Sequence, residues 1–227
     1  MSQILIRYAS SMEDAKHIVT AFDSTLPHLE AKGSGQQWGS QPLSERPDKV
    51  ELMNTTLKGF LEYKVTGEGD YVEVFIAEVE VDPADPAMQP EADAIIRTSE
   101  DGKRFVQTGA LVTTAVFVNY VCDAEEARSI VEEAQQEKSF IYIRALVSDY
   151  RAGPLRKGAG AALIEHAKVK AREQGKKSIF VDCFGGNGSL LVKFYETTGF
   201  RVVAAFDLQK PNDAPWPCRL LKMDVSE

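Results

Sequence analysis

Two glycines one residue apart, Gly158 and Gly160, sit inside Leu155-Arg-Lys-Gly-Ala-Gly-Ala-Ala-Leu-Ile164, after an apolar run and directly before a helical one. The backbone N–H groups of a helix's first turn have no intrahelical partner, and together with the helix dipole they attract phosphate. Glycine has no Cβ, so a diphosphate can approach the main chain closely there. Arg156 and Lys157 add positive charge beside it. A Rossmann fingerprint is disfavoured because the third glycine position holds Ile or Leu, and a P-loop because no Gly-Lys-Ser/Thr follows. A glycine pair before a helix can also merely shape a turn, so a second signal has to decide. Asp182 is a further chemical candidate, on a strand with the same facing as Phe180 and Phe184. A carboxylate between aromatics binds a cation or has a raised pKa; a solvent-facing strand acid is the plainer reading.

The charge distribution sharpens the first signal. The chain of 227 residues carries a net charge of −8, which argues against general nucleic-acid binding. Residues 62–101 hold twelve acids and two bases, whereas residues 151–177 hold eight bases and two acids. One region is prepared for an anion and the other for a cation, unless both are simply solvated faces. Three cysteines, Cys122, Cys183 and Cys218, and three histidines, His17, His28 and His166, offer neither a disulfide framework nor a zinc spacing. No apolar run approaches the ~18 residues of a membrane span. The first sixteen residues lack the pattern of a secretory signal, so a reducing cytoplasmic location is expected.

The elements that must position these residues read as α/β or α+β in one domain. Strands are expected at 3–8, 71–81, 94–98, 105–117, 140–147, 178–184, 201–209 and 219–225. Helices are expected at 12–22, from Pro47 through Leu61, and at 123–137, 161–174 and 189–198. Gly-rich 32–41 and Pro-rich 82–90 read as loops. The strand–helix–strand run between 140 and 184 implies a right-handed parallel crossover.

The second signal is Phe194-Tyr-Glu-Thr-Thr-Gly-Phe200, which follows a strand, the Gly185-Gly-Asn-Gly188 turn and a short helix. The two patches together resemble the GCN5-related N-acetyltransferase (GNAT) superfamily. Its order is strand, Q/R-x-x-G-x-G/A loop, helix, strand, helix and a Y-E-x-x-G-F signature. The resemblance is specific over about residues 139–208. It departs at Leu155, where the family has Gln or Arg, and Arg151 or Arg156 stands near enough in sequence to supply the missing side chain. The 185–188 linker is one residue longer than usual.

The resemblance implies a single GNAT-type domain with a mixed central sheet, splayed parallel strands and flanking helices. An acceptor-side half would span 1–138, an acetyl-CoA-binding core 139–208 and a C-terminal strand 209–227. Acetyl-CoA would be held by Leu146 and Val147 through main-chain groups, by Leu155, Arg156, Lys157, Gly158, Ala159, Gly160 and Ala161 around its diphosphate, and by Asn187. Tyr195 would donate a hydrogen bond to the departing thiolate. A phenol near ~10 and a thiol near ~8.5 make outright transfer uphill by roughly 2 kcal/mol, so the donor role suits it better than full transfer. Asp182 would deprotonate or bind the amine, and Trp38 and Glu78 would help bind it. The implied activity is acetyl transfer to a small-molecule amine in a ternary complex, by a monomer or homodimer with no nucleic-acid or membrane partner. The rivals are acetylation of a peptide N-terminus or lysine, and a module that binds acetyl-CoA without catalysis.

Overall fold

A computed structural model describes residues 3–209 and 215–225. In chain order its main elements are β1 (Ile4–Tyr8), α1 (Glu13–Ala31), α2 (Pro47–Thr66), β2 (Val72–Val81), β3 (Ile96–Thr98), β4 (Arg104–Thr114), α3 (Asn119–Cys122), α4 (Arg128–Glu137), β5 (Phe140–Ser148), α5 (Ala159–Glu173), β6 (Ser178–Phe184), α6 (Leu190–Thr197), β7 (Arg201–Leu208) and β8 (Trp216–Asp224). The expected open, mixed α/β architecture is present. The chain clusters into two units. One comprises residues up to 28, 40–112 and 145–163; the other comprises 29–39, 113–144 and 164 onward.

In the first unit β1 lies antiparallel to β2, from Ile4↔Val79 to Tyr8↔Phe75, and β3 lies antiparallel to β4. The sheet order there is β1-β2-β4, followed by the C-terminal half of β5. Gly109 on β4 is required by this packing, since a Cβ there would stand 2.5 Å from the Val147 carbonyl oxygen of β5. α1 and α2 bury Ile18, Phe22, Leu57 and Phe60 against Val74, Ile76, Val112 and Val147. α2 begins with Pro47 at a helix start, where its missing N–H costs nothing. It ends at Gly67, whose left-handed φ of 71° lets its N–H reach the Tyr63 carbonyl at 2.8 Å.

α1 runs nine residues past the expected end at residue 22, and Pro27 lies inside it. Beyond residue 22, Ser24 and Thr25 turn their hydroxyls back onto the Ala21 and Phe22 carbonyls at 2.6 and 2.7 Å. Buried Thr25 keeps that turn against the core. The extension brings Ser24 Oγ to accept the Tyr150 N–H at 3.0 Å.

In the second unit the order is β5-β6-β8-β7, with β5 contributing its N-terminal half. β5 and β6 pair in parallel, as the crossover requires; β8 is antiparallel to both β6 and β7. The parallel ladder runs only from Phe140↔Ser178 to Ile143↔Val181, although β6 continues to Phe184. Phe117 stacks on Phe140 at 4.7 Å and meets Phe180 edge-on at 5.1 Å, beneath α3 and α4. The expected helix over 123–137 is corrected to a turn at Glu125–Ala127 and α4, and the short α3 precedes it. β4 accordingly stops at Thr114 rather than at Phe117. The C-terminal strand begins at Trp216, three residues earlier than expected.

Candidate functional site

The glycine loop belongs to the first unit. Asp149 follows β5 and accepts from the Arg151 N–H at 3.0 Å, starting tight turns through Arg156. Gly158 has φ 93°, and α5 starts at Ala159, two residues earlier than expected. Its first hydrogen bond runs from the Ala162 N–H to the Gly158 carbonyl at 2.9 Å. The N–H groups of Ala159, Gly160 and Ala161 therefore precede the helical ladder, as an anion cradle needs.

Side chains divide sharply around this loop. Arg151 is spent on structure: its guanidinium holds Asp149 at 2.9 and 2.6 Å and Thr20 Oγ1 at 2.9 Å. That leaves Arg156 as the basic side chain able to replace the one the motif lacks. Its guanidinium carbon lies 3.7 Å from the centre of the Tyr150 ring, and His28 stacks on the same ring at 3.9 Å. Two planar groups that close cannot share one face, so Tyr150 is sandwiched between them. Leu155 is corrected: it is buried with Val79, Val81, Val106 and Ala152, so it anchors the loop and does not present a side chain to a ligand. Lys157 and Gly158 are exposed, and Ala159 is buried. Leu146 is half-buried and Val147 belongs to the α1–α2 core.

Beneath the loop lies a buried histidine that sequence reasoning passed over. His17 Nδ1 is 3.6 Å from Asp149 Oδ2, and neither ring nitrogen has a hydrogen-bond partner. Burial lowers its pKa to about 4 despite the opposing pull of Asp149, so the ring is neutral.

The second unit carries Asp182 and Tyr195. Asp182 accepts hydrogen bonds from the phenols of Tyr142 on β5 and Tyr120 on α3, the latter at 2.8 Å. Cys218 Sγ stands 3.9 Å away. Burial raises the Asp182 pKa, while the two phenols oppose the rise by stabilising the anion. Burial also raises the pKa of both phenols, so they remain donors. Neither tyrosine was expected. Tyr142 was legible in principle, because parallel pairing sets it beside Phe180; nothing in the sequence announces Tyr120. Tyr195 is 5% exposed, edge-on to Phe194 and Phe200 at 5.3 and 5.5 Å. Burial raises its pKa, and the carboxylate of Asp182 adds to that.

Two further expectations are corrected. Asn187 donates its amide to the Lys32 carbonyl at 2.7 Å and to Ser34 Oγ at 2.5 Å, so it clamps the loop after α1 and is not free to hold a cofactor. Glu78 is buried, accepting from Arg7 Nε at 3.0 Å and from both Nε and a terminal nitrogen of Arg97. Its charge is already matched, which removes it as an acceptor-binding group. Glu73 accepts hydrogen bonds from the phenols of Tyr8 and Tyr71 at 3.3 and 2.7 Å. Trp38 is 38% exposed in the tight turn after Ser34.

The chain matches no protein-family model and no curated protein. Solved structures do match. An N-acetyltransferase from Staphylococcus aureus Mu50 aligns over 99% of this chain and all of its own at 12% identity, with a TM-score of 0.57. A GNAT superfamily phosphinothricin acetyltransferase from Sinorhizobium meliloti, in complex with acetyl-CoA, aligns over 98% of this chain and 88% of its own at 13% identity and 0.54. The ribosomal-protein-S18-alanine N-acetyltransferase from Escherichia coli aligns over 99% and 96% at 13% identity and 0.52. The chain thus has the fold of the GNAT acetyltransferases. Among the described residues no helix is long and apolar enough to cross a membrane.

Proposed function

We propose that the protein is an acetyl-CoA-dependent N-acetyltransferase acting on a small-molecule amine. The observation that carries this reading is the set of N–H groups on Ala159, Gly160 and Ala161, ahead of the α5 ladder, beside Gly158 with its left-handed φ and Arg156 stacked on Tyr150. Such a loop fits a diphosphate through backbone donors and one guanidinium. The main chain of Leu146 and Val147 on β5 would take the amides of the pantetheine arm as an added strand does.

When bound, acetyl-CoA supplies a thioester carbonyl. That carbon would take the amine nitrogen, with the thiol as its leaving group. Two protons leave a primary ammonium overall. Asp182, with a raised pKa, would relay one to solvent; the other would balance the proton that Tyr195 would yield to the departing sulfur. Tyr195 is protonated throughout the neutral range, as a donor must be. The protein would work in the cytoplasm, as a monomer or homodimer.

A peptide acceptor is the rival, and an acidic surface would favour it. Glu78, a strand carboxylate within the acidic segment, is already matched by the guanidiniums of Arg7 and Arg97, which weakens that case. A thiol-release screen with acetyl-CoA over amines, amino acids and peptides tests the reading. Turnover of small amines is expected; turnover of peptides alone, or tight binding with no turnover, would replace it by one of the rivals.

A further inference from the structure

Arg144 and Asp182 occupy the positions immediately beyond the last matched pair of the β5–β6 ladder, Ile143 and Val181. Facing repeats every second residue along a strand. Tyr142 and Phe180 are matched in that ladder, and both enter the aromatic cluster beneath α3 and α4. Arg144 and Asp182, two residues further on, therefore look out on that same face. Opposite charges set side by side on one sheet face ordinarily pair. These two do not. Asp182 is held instead by the phenols of Tyr142 and Tyr120.

Arg144 is left without an ion pair or hydrogen bond among the described residues. It is exposed, although β5 is an inner strand and the residues before it, Tyr142 and Ile143, are fully buried. An exposed guanidinium there marks open space on that face. It lies near enough to Tyr120 to act on its phenol. Among the described residues, an unpaired cation and a phenol-bound carboxylate thus stand on neighbouring strands, facing one way, with neither satisfying the other.

The geometry points to a zwitterionic acceptor, one small molecule that carries both a primary ammonium and an acid group, with the acid on Arg144 and the ammonium on Asp182 beside Tyr120. The planar fork of a guanidinium matches a carboxylate, phosphinate or phosphonate through two parallel hydrogen bonds. A plain monoamine would leave Arg144 unmatched, and a diamine would be repelled by it. This assignment rests on the acetyl-transfer reading above.

The test sets matched acceptors side by side: the twenty common α-amino acids and 2-aminoethylphosphonate against amino-acid amides and ethylamine. Acetyl-CoA thiol release is followed for the wild type, Arg144→Gln and Arg144→Lys. Calorimetry with acetyl-CoA and thermal melts are run on each. The wild type is expected to favour at least one acid-bearing acceptor over its neutral counterpart by 10-fold or more in kcat/KM. Arg144→Gln should bring that ratio towards one through KM, and Arg144→Lys should restore part of it, with melting and cofactor binding retained. Cofactor binding with turnover only of neutral amines or peptides, or of nothing in the panel, overturns the zwitterion assignment and leaves the cofactor loop standing. A preference that survives in Arg144→Gln also overturns it. Absence of acetyl-CoA binding by the wild type overturns the acetyl-transfer reading itself, and this assignment with it.

Discussion

The Arg156 guanidinium carbon lies over the Tyr150 ring, 3.7 Å from its centre, with His28 on the opposite face at 3.9 Å. A long, flexible side chain is thereby held in one orientation beside the glycine loop, which lowers the entropy lost when it meets a phosphate. Tyr150→Leu is expected to weaken acetyl-CoA binding by about 3- to 10-fold, in keeping with ~1 kcal/mol for one such stack. Isothermal titration measures this; an unchanged Kd would remove Arg156 from the loop's working parts.

Asn187 and the loop after α1 give a prediction of the opposite kind. Its two hydrogen bonds to Lys32 and Ser34 hold that loop. Asn187→Ala should cost about 1–2 kcal/mol of stability, a fall in Tm of a few degrees for a chain of this size. Cofactor affinity should stay as it was. A loss of affinity without a loss of Tm would return Asn187 to the cofactor site.

His17 makes stability depend on pH. Its pKa is about 4 in the folded protein, below the ordinary 6.5, chiefly because burial penalises the imidazolium. The unfolded chain therefore binds the extra proton first as pH falls. The stability at stake is fully present above about pH 6.5 and is lost progressively towards pH 4, reaching roughly 3 kcal/mol. Chemical denaturation at pH 7 and pH 4.5 should show this loss in the wild type and a smaller one in His17→Gln. Equal pH slopes for the two proteins would mean that the buried ring is not the sensor.

Tyr195→Phe retains the ring packing against Phe194 and Phe200 and removes only the hydroxyl. The expected result is a kcat lowered by about 10²-fold, the lower end of proton-transfer contributions, with the cofactor Kd unchanged. A normal kcat would leave Tyr195 as a core residue.

Much of the fold was legible because period-two and helical patterns coincide with burial. Phe140–Ser148 and Ser178–Phe184 read as apolar strands and are strands. The glycine loop was legible for the same reason: a strand, a left-handed glycine and a helix start leave little conformational choice. Long-range pairings were not legible. The first helix was expected to end at residue 22, but the hydroxyls of Ser24 and Thr25 fold onto the preceding turn and the helix continues to Ala31. Glu78 read as a free acid because Arg7 lies 71 residues away and Arg97 lies 19. Asp182 was singled out by its facing, but its partner Tyr120 lies 62 residues off, on a short helix with no sequence signal.

The central claim is that the first-turn amides of α5 bind the diphosphate of acetyl-CoA, and Gly160→Asp isolates it. A carboxylate in the first turn favours the helix dipole, so the fold should hold, while its charge repels phosphate. Calorimetric titration of acetyl-CoA into the wild type and into Gly160→Asp, alongside their thermal melts, measures both effects. The account predicts saturable binding by the wild type, none by the variant, and a Tm for the variant at or above that of the wild type. Equal affinity in the two proteins would contradict it.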